Sequence, residues 1–240
     1  LHLSIRRQRQ MCIRDRRLLR PVEDPIQSFS EDPIRMIRAI RFSARLNINM
    51  DQSVVAAIAK SAPQLRYVSP ARLFDEILKV FFCTKGHSAF LKLHHYGILR
   101  EIVPQVTQLT SLAIDLDPDR GFVGMALKNT DARLVAGKSV IPAFLFSILL
   151  WKSVCDEKRI NLNKGAPAIQ SLHVAIRTVI SNQKNTIEIP RYVTKTMFDI
   201  WDLQRKLTEC RPKLIEKTEG GKIERDLAKA KKDCEEKIRK

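Results

Sequence analysis

Glu31-Asp32-Pro33-Ile34-Arg35-Met36-Ile37-Arg38-Ala39-Ile40-Arg41-Phe42 is the stretch on which the fold turns. Pro33 has its φ preset for a first helical position and lacks only an N–H that would stay unpaired there. Asp32, one residue earlier, can cap the free amides and suits the positive end of the helix dipole. Ile34, Ile37, Ile40 and Ala44 then fall on one helical stripe and should face a core. Arg35, Arg38 and Arg41 recur every three residues as a cationic ridge beside that stripe. Such a ridge on a core-packed helix calls for carboxylates or an anionic ligand.

The string resembles the neck-helix motif of class II nucleotidyltransferases, the family of bacterial poly(A) polymerases and tRNA CCA-adding enzymes. The resemblance implies that Asp32 and Arg35 read the base of the incoming nucleotide, with Glu31, Arg38 and Arg41 completing the nucleotide site. An Asp offers acceptors, an Arg offers fixed donors, and i,i+3 spacing puts both on one helix face. The plainer alternative is that Asp32 only caps and Arg35 only pairs with Glu31.

Working outward, Leu19 to Met36 follows the family pattern in which a Leu-Arg and a Gly-Asp-Pro precede the neck helix, with Glu23 in place of the Gly. The neck helix should stop near Leu46, where Asn47 tolerates the left-handed conformation of a helix end. Asp51 can cap a second helix through Ser61. Ser69-Pro70 opens a third with Leu73, Ile77, Val80 and Phe81 inward and Arg72–Glu76 paired at i,i+4 outside. Gly97 ends a further helix, and a short one ends near Pro104.

Past a polar loop around Asp115–Asp119, ALKNTDARLVAGKSVIPAFLFSILLW and IPRYVTKTMFDIWDLQRKL are similar to the body of bacterial poly(A) polymerases. One helix should end at Gly137 and another begin near Ile141 with Phe144, Ile148 and Trp151 as core. Gly165 to Gln183 should be amphipathic through Ile169, Leu172, Ile176 and Ile180. In the helix opened by Pro190, Arg191, Lys195, Arg205 and Lys206 are candidates to lie along RNA phosphates.

The reading is therefore all-α: a basic segment over 1–18 that is non-native or disordered (the alternative being an RNA-binding arm), neck helices over 19–104, a helical body over 105–220 and a polar tail over 221–240. The resemblance implies template-independent addition of AMP from ATP to RNA 3′ ends, with tRNA CCA addition and a non-catalytic RNA-binding module as alternatives. ATP and Mg2+ would serve the full-length parent; this stretch would bind neither alone and would be inactive, because the strand-borne Asp-x-Asp of the family's catalytic head is not found. Asp115 and Asp117 have that spacing but stand in a loop. Oligomeric state stays open.

Composition agrees. A net charge of +17 over 240 residues favours a polyanionic partner, nucleic acid before membrane. The longest largely apolar run, Val140 to Trp151, is too short to span a bilayer. Cys12, Cys83, Cys155, Cys210 and Cys234 stand far apart without CxxC spacing, as in a reduced cytoplasmic protein. Neighbouring His94 and His95 point about 100° apart on a helix and chelate poorly. No Gly-rich phosphate loop or nucleophile elbow is present.

Overall fold

The computed structural model describes residues 18–20, 23–107, 117 and 121–216. The expectations for the basic N-terminal segment, for Asp115 and its loop neighbours and for the tail 221–240 lie outside these. The all-α expectation holds. The only strands among the described residues are Leu18–Leu19 and Asn49–Met50, which pair in parallel as β1 and β2.

Helices follow as α1 (Pro25–Glu31), α2 (Ile34–Leu46), α3 (Gln52–Ser61), a 3₁₀ turn (Ala62–Tyr67), α4 (Pro70–Phe81), α5 (Gly86–His95), α6 (Ile98–Ile102), α7 (Pro104–Thr107), α8 (Phe122–Val135), α9 (Pro142–Asn163), α10 (Ala168–Lys184) and α11 (Arg191–Glu216). The chain divides into two compact units, Leu1–Met197 and Phe198–Lys240, so the second begins inside α11.

Local signals account for most of these boundaries. Asn47 takes φ 52° and ends α2, and the Ile48 amide reaches back to the Ser43 carbonyl. Asp51 accepts from the Ser53 amide at 3.0 Å and starts α3. Gly97, at φ 73°, separates α5 from α6. Pro142 and Pro70 stand in first turns, where a missing N–H costs nothing.

The core of the first unit is built on four aromatic rings. Phe74 and Phe81 of α4 meet Phe146 of α9 with ring centroids 5.5 and 5.4 Å away, and Phe81 stacks on Phe90 of α5 at 4.8 Å. This corrects the expected stripe of α9. Phe144 is exposed and Trp151 half-buried, whereas Leu145, Phe146, Leu149, Leu150 and Val154 are buried with Ile148. From Ala143 to Leu150 the helix is buried around most of its circumference, and Phe144 falls on the face left open. In α10, similarly, Leu172, Ala175, Ile176 and Val179 are buried while Ile169 is exposed and Ile180 half-buried.

Two polar contacts join distant segments within this unit. Asp131 of α8 accepts from the Gly86 and His87 amides at 2.7 and 3.1 Å, capping α5 from another helix. The approach is close enough that a Cβ at Gly86 would meet the Phe81 carbonyl oxygen at 3.1 Å and Asp131 at 3.3 Å. Gln183 of α10 is buried and donates to the Ile102 carbonyl at 3.1 Å, while Gln105 of α7 donates to the Val179 carbonyl at 3.2 Å. The Gln183 amide thus satisfies a carbonyl where the short α6 ends, and the Gln105 amide ties α7 to the middle of α10.

Candidate functional site

The site grows from α2. Ile34, Met36, Ile37, Ala39, Ile40 and Ala44 are buried as its core face, together with Ser43. That burial fixes the direction of the arginine ridge, and the acidic partners come from α1 and α4.

Asp32 does not cap α2. Pro33 occupies the capping position and no side chain bonds to the first-turn amides. Asp32 instead closes α1: its amide donates to the Ser28 carbonyl at 3.2 Å, with φ −145° and ψ 94°. Its carboxylate is turned to Arg72, whose Nη2 donates to Oδ1 at 3.2 Å and Oδ2 at 3.3 Å. A single nitrogen thus serves both oxygens, and the carboxylate keeps acceptor capacity for a second donor.

Arg35 uses Nη1 for all its bonds among the described residues: Ser28 Oγ at 2.9 Å, the Ser28 carbonyl at 3.2 Å and Glu31 Oε2 at 3.1 Å. Nε and Nη2 keep their N–H donors, and the side chain is 41% exposed. The Glu31 pair is the one expected from i,i+4 spacing.

Glu76 of α4 is the group that sequence reasoning misplaced. The expected Arg72–Glu76 pair at i,i+4 does not form; Arg72 turns to Asp32, and Glu76 is buried with a side chain 3% exposed. Its Oε1 accepts from Arg38 Nε and Nη2 at 3.1 and 3.0 Å and from Lys79 Nζ at 2.9 Å. Arg41 Nη2 stands 3.8 Å from Oε2 and its guanidinium lies 4.7 Å from the centre of the Phe42 ring. Burial pushes the Glu76 carboxyl up, but hydrogen bonds and charge from Lys79 and Arg38 outweigh it and hold the group below the ordinary glutamate range. Glu76 Oε2 and Arg41 Nε are both buried without a hydrogen-bond partner among the described residues.

The heptad-like i, i+3 register of Arg35, Arg38 and Arg41 gave the direction of the ridge. No local signal could have shown that α4 would answer it with one carboxylate. With three cations around Glu76, the cluster stays net positive, as a site for a polyanion requires.

Of the RNA candidates in α11, Arg191 and Lys195 are exposed. Arg205 is only 14% exposed and pairs with Asp202 at 3.1 Å; Lys206 pairs with the same carboxylate at 2.9 Å. The hydrogen bond from Lys206 lowers the Asp202 carboxyl most; burial opposes it, and the bond and charge of Arg205 with the charge of Lys206 keep the group below the ordinary aspartate range. His94 is half-buried and His95 is packed edge-on against Tyr96 at 4.9 Å. The described residues contain no group of three or more His, Cys, Asp or Glu that could hold a metal ion, and no described helix is long and apolar enough to cross a membrane.

Comparison with known proteins gives this arrangement its class. Residues 47–109 match the family model for the probable RNA and SrmB-binding site of polymerase A, and residues 164–219 match the model for the polymerase A arginine-rich C-terminus. Both matched stretches are similar to poly(A) polymerases and CCA-adding enzymes, the family that the neck-helix string resembles. Among particular proteins, it is 30% identical over 192 residues to poly(A) polymerase I of Salmonella typhimurium, covering 80% of this chain and 41% of that protein. It is 32% identical over 190 residues to poly(A) polymerase I of Haemophilus influenzae, covering 79% of this chain and 42% of that protein. A CCA-adding enzyme of Streptococcus gordonii is 33% identical over 111 residues, or 45% of this chain and 28% of the enzyme. The chain thus spans about two fifths of the poly(A) polymerases it matches. A solved chain from a tRNA-processing enzyme complex is similar at 17% identity over 93% of this chain and 64% of that one, with a TM-score of 0.37, too low for the folds to be equated.

Proposed function

We propose that this chain is the base-reading and RNA-holding part of a cytoplasmic poly(A) polymerase, which adds AMP from ATP to RNA 3′ ends without a template. The observation that carries the reading is the release of Asp32 from helix capping. Its carboxylate stands one helical turn from the unused Arg35 donors, an acceptor and a donor ready for the edge of a base.

Adenine presents an amino donor beside a ring-nitrogen acceptor. Asp32 would accept from the amino group and Arg35 would donate to the ring nitrogen. Cytosine offers the same order of groups, whereas guanine and uracil reverse it. The pair therefore admits A and C and rejects G and U, which agrees with poly(A) polymerases and CCA-adding enzymes both appearing among the relatives. The far longer match to poly(A) polymerases favours ATP as the nucleotide.

Glu31, Arg38 and Arg41 support the pair: Glu31 holds Nη1 of Arg35, while Arg38 and Arg41 supply positive charge for a triphosphate. Arg191 and Lys195 are suited to RNA phosphates; Arg205 and Lys206 contribute less, being partnered by Asp202 already. Magnesium belongs to phosphoryl transfer in such enzymes. The described residues hold no cluster of carboxylates that fits a magnesium pair.

The test is primer extension by a chimera in which this chain replaces the matching part of the Salmonella relative. With ATP, Arg35→Ala and Asp32→Ala should each lose about ten- to a hundred-fold in efficiency, the cost of an unmade bond to a charged group. GTP, already a poor substrate, should change little. An unchanged order of ATP, CTP and GTP in both variants would mean that the base is read elsewhere. A wild-type chimera that binds oligo(A) but never extends it would favour a non-catalytic RNA-binding module.

A further inference from the structure

We infer that Tyr67 and Tyr192, with Arg66, Arg191 and Lys195, form a stacking platform for single-stranded RNA beside the Asp32–Arg72 pair. The inference deepens the RNA-holding part of the function proposed above and rests on it.

Tyr67 is 90% exposed and Tyr192 is 69% exposed. Single exposed apolar residues are ordinary. These two differ in being displayed by fixed backbone. Tyr67 ends the 3₁₀ turn between buried Leu65 and buried Val68, whose amide bonds to the Leu65 carbonyl at 3.2 Å. Arg66 beside it is anchored by a 2.6 Å bond to the buried Glu101 carboxylate. Tyr192 stands in the first turn of α11, next to buried Val193, whose amide and that of Thr194 each bond to the Pro190 carbonyl at 3.0 Å.

One backbone bond joins the two elements: the Glu188 amide donates to the Pro70 carbonyl at 3.3 Å. Three residues from Pro70 to Tyr67 span at most about 11 Å, and four from Glu188 to Tyr192 at most about 14 Å. Both rings therefore lie within a few nucleotides of one joint. Arg72, two residues beyond Pro70, makes the Asp32 pair, so the same joint lies beside the candidate base-reading site.

The chemistry of the patch selects its occupant. Arg66, Arg191 and Lys195 are exposed cations, of which Arg66 is already paired to Glu101; Glu188 is the exposed acid at the joint. Cations beside exposed aromatic rings, as at Arg66–Tyr67 and Arg191–Tyr192, suit a strand whose phosphates are regularly spaced and whose bases have free faces. In a duplex those faces are already stacked. A strand seated here would pass close to the Asp32–Arg72 pair, beside the place proposed for reading the next nucleotide.

The experiment uses the full chain and fluorescence anisotropy with labelled oligo(A), and with an RNA duplex of equal length. Tyr67→Ala and Tyr192→Ala should each weaken oligo(A) binding about five- to a hundred-fold and leave duplex binding nearly unchanged. Tyr67→Phe and Tyr192→Phe should bind as wild type, because stacking needs the ring and not the hydroxyl. Arg191→Gln and Lys195→Gln should each reduce the slope of log affinity against log salt by about one. Melting curves check that the variants fold. If wild type binds oligo(A) and both alanine variants match it, the platform is overturned, the RNA reading stands, and the rings belong to a protein-binding surface. Equal losses in alanine and phenylalanine variants also overturn it. A wild-type chain that binds no oligo(A) overturns the RNA-holding reading and the platform together.

Discussion

The tetrapeptide Glu-Asp-Pro-Ile stands at 23–26 and again at 31–34, and the two copies turn their aspartates to different partners. In the first, Asp24 is the N-cap of α1: its Oδ2 accepts from the Gln27 amide at 3.0 Å, and Pro25 follows in the first turn. Ile26 is exposed. In the second, Asp32 gives its backbone to the end of α1 and its carboxylate to Arg72, forty residues along, while Ile34 is fully buried.

The difference comes from what precedes each copy. Asp24 follows a bend at Glu23 and takes capping geometry. Asp32 is already committed as the last amide of α1, and Pro33, with no side-chain acceptor, falls at the capping position instead. Identical local chemistry therefore gives a structural cap in one place and a presented carboxylate in the other.

The comparison can be broken hardest at α4, which supplies the cations and the carboxylate that the second copy and its helix meet. Glu76→Ala should cost about 2–3 kcal/mol in urea unfolding, below the usual 3–5 for a broken buried pair because Arg38 and Lys79 still reach water. Arg41, only 14% exposed, is the cation left worst off.

The same carboxylate should show in acid. The Glu76 carboxyl is held below its ordinary range in the fold, so its stabilisation is present above the unfolded value and lost as pH falls through the folded one. Stability should therefore drop below about pH 4.3, and more gently in Glu76→Gln than in wild type. A drop of identical steepness in both would mean that other carboxylates govern the acid limb; Asp51 and Asp202, also held low, are the ones to test next.

A smaller effect separates the two copies directly. Asp24→Ala should lose about 1 kcal/mol by thermal melting, the value of an N-cap, and the loss should be nearly indifferent to salt. Asp32→Ala should cost least, no more than about 0.5 kcal/mol, because Arg72 is 55% exposed and the pair is screened. A double-mutant cycle of Asp32 with Arg72 should give a coupling that shrinks as salt rises. Equal, salt-independent losses at Asp24 and Asp32 would show that both serve as caps and would remove the physical basis for base reading.

Much of the architecture was legible along the chain because helices signal locally. The three-and-four spacing of Ile34, Ile37 and Ile40, the left-handed Asn47, the Asp51 cap, Pro70 and Gly97 each act within one turn, and each stands where its chemistry placed it. The α1 helix was not read, although Asp24-Pro25 carries the same start signal as Asp32-Pro33. In α9 periodicity failed for a physical reason: a helix buried around most of its circumference has no single apolar stripe, so the expected set of Phe144, Ile148 and Trp151 missed Phe146.

By itself, the sequence determined an all-α chain and an arginine ridge at i, i+3 spacing on a core-packed helix, because these depend on bonds and torsions within a turn. Tertiary structure alone decided that Arg72 would leave Glu76 for Asp32, that Glu76 would be buried among Arg38, Arg41 and Lys79, and that the Glu188 amide would meet Pro70 beside the candidate site. Each is a choice among partners of similar intrinsic strength. An i,i+4 pair on the surface is worth a few tenths of a kcal/mol, too little to hold Glu76 once packing of α4 against α2 buries it beside Arg38 and Arg41, with Lys79 of its own helix alongside.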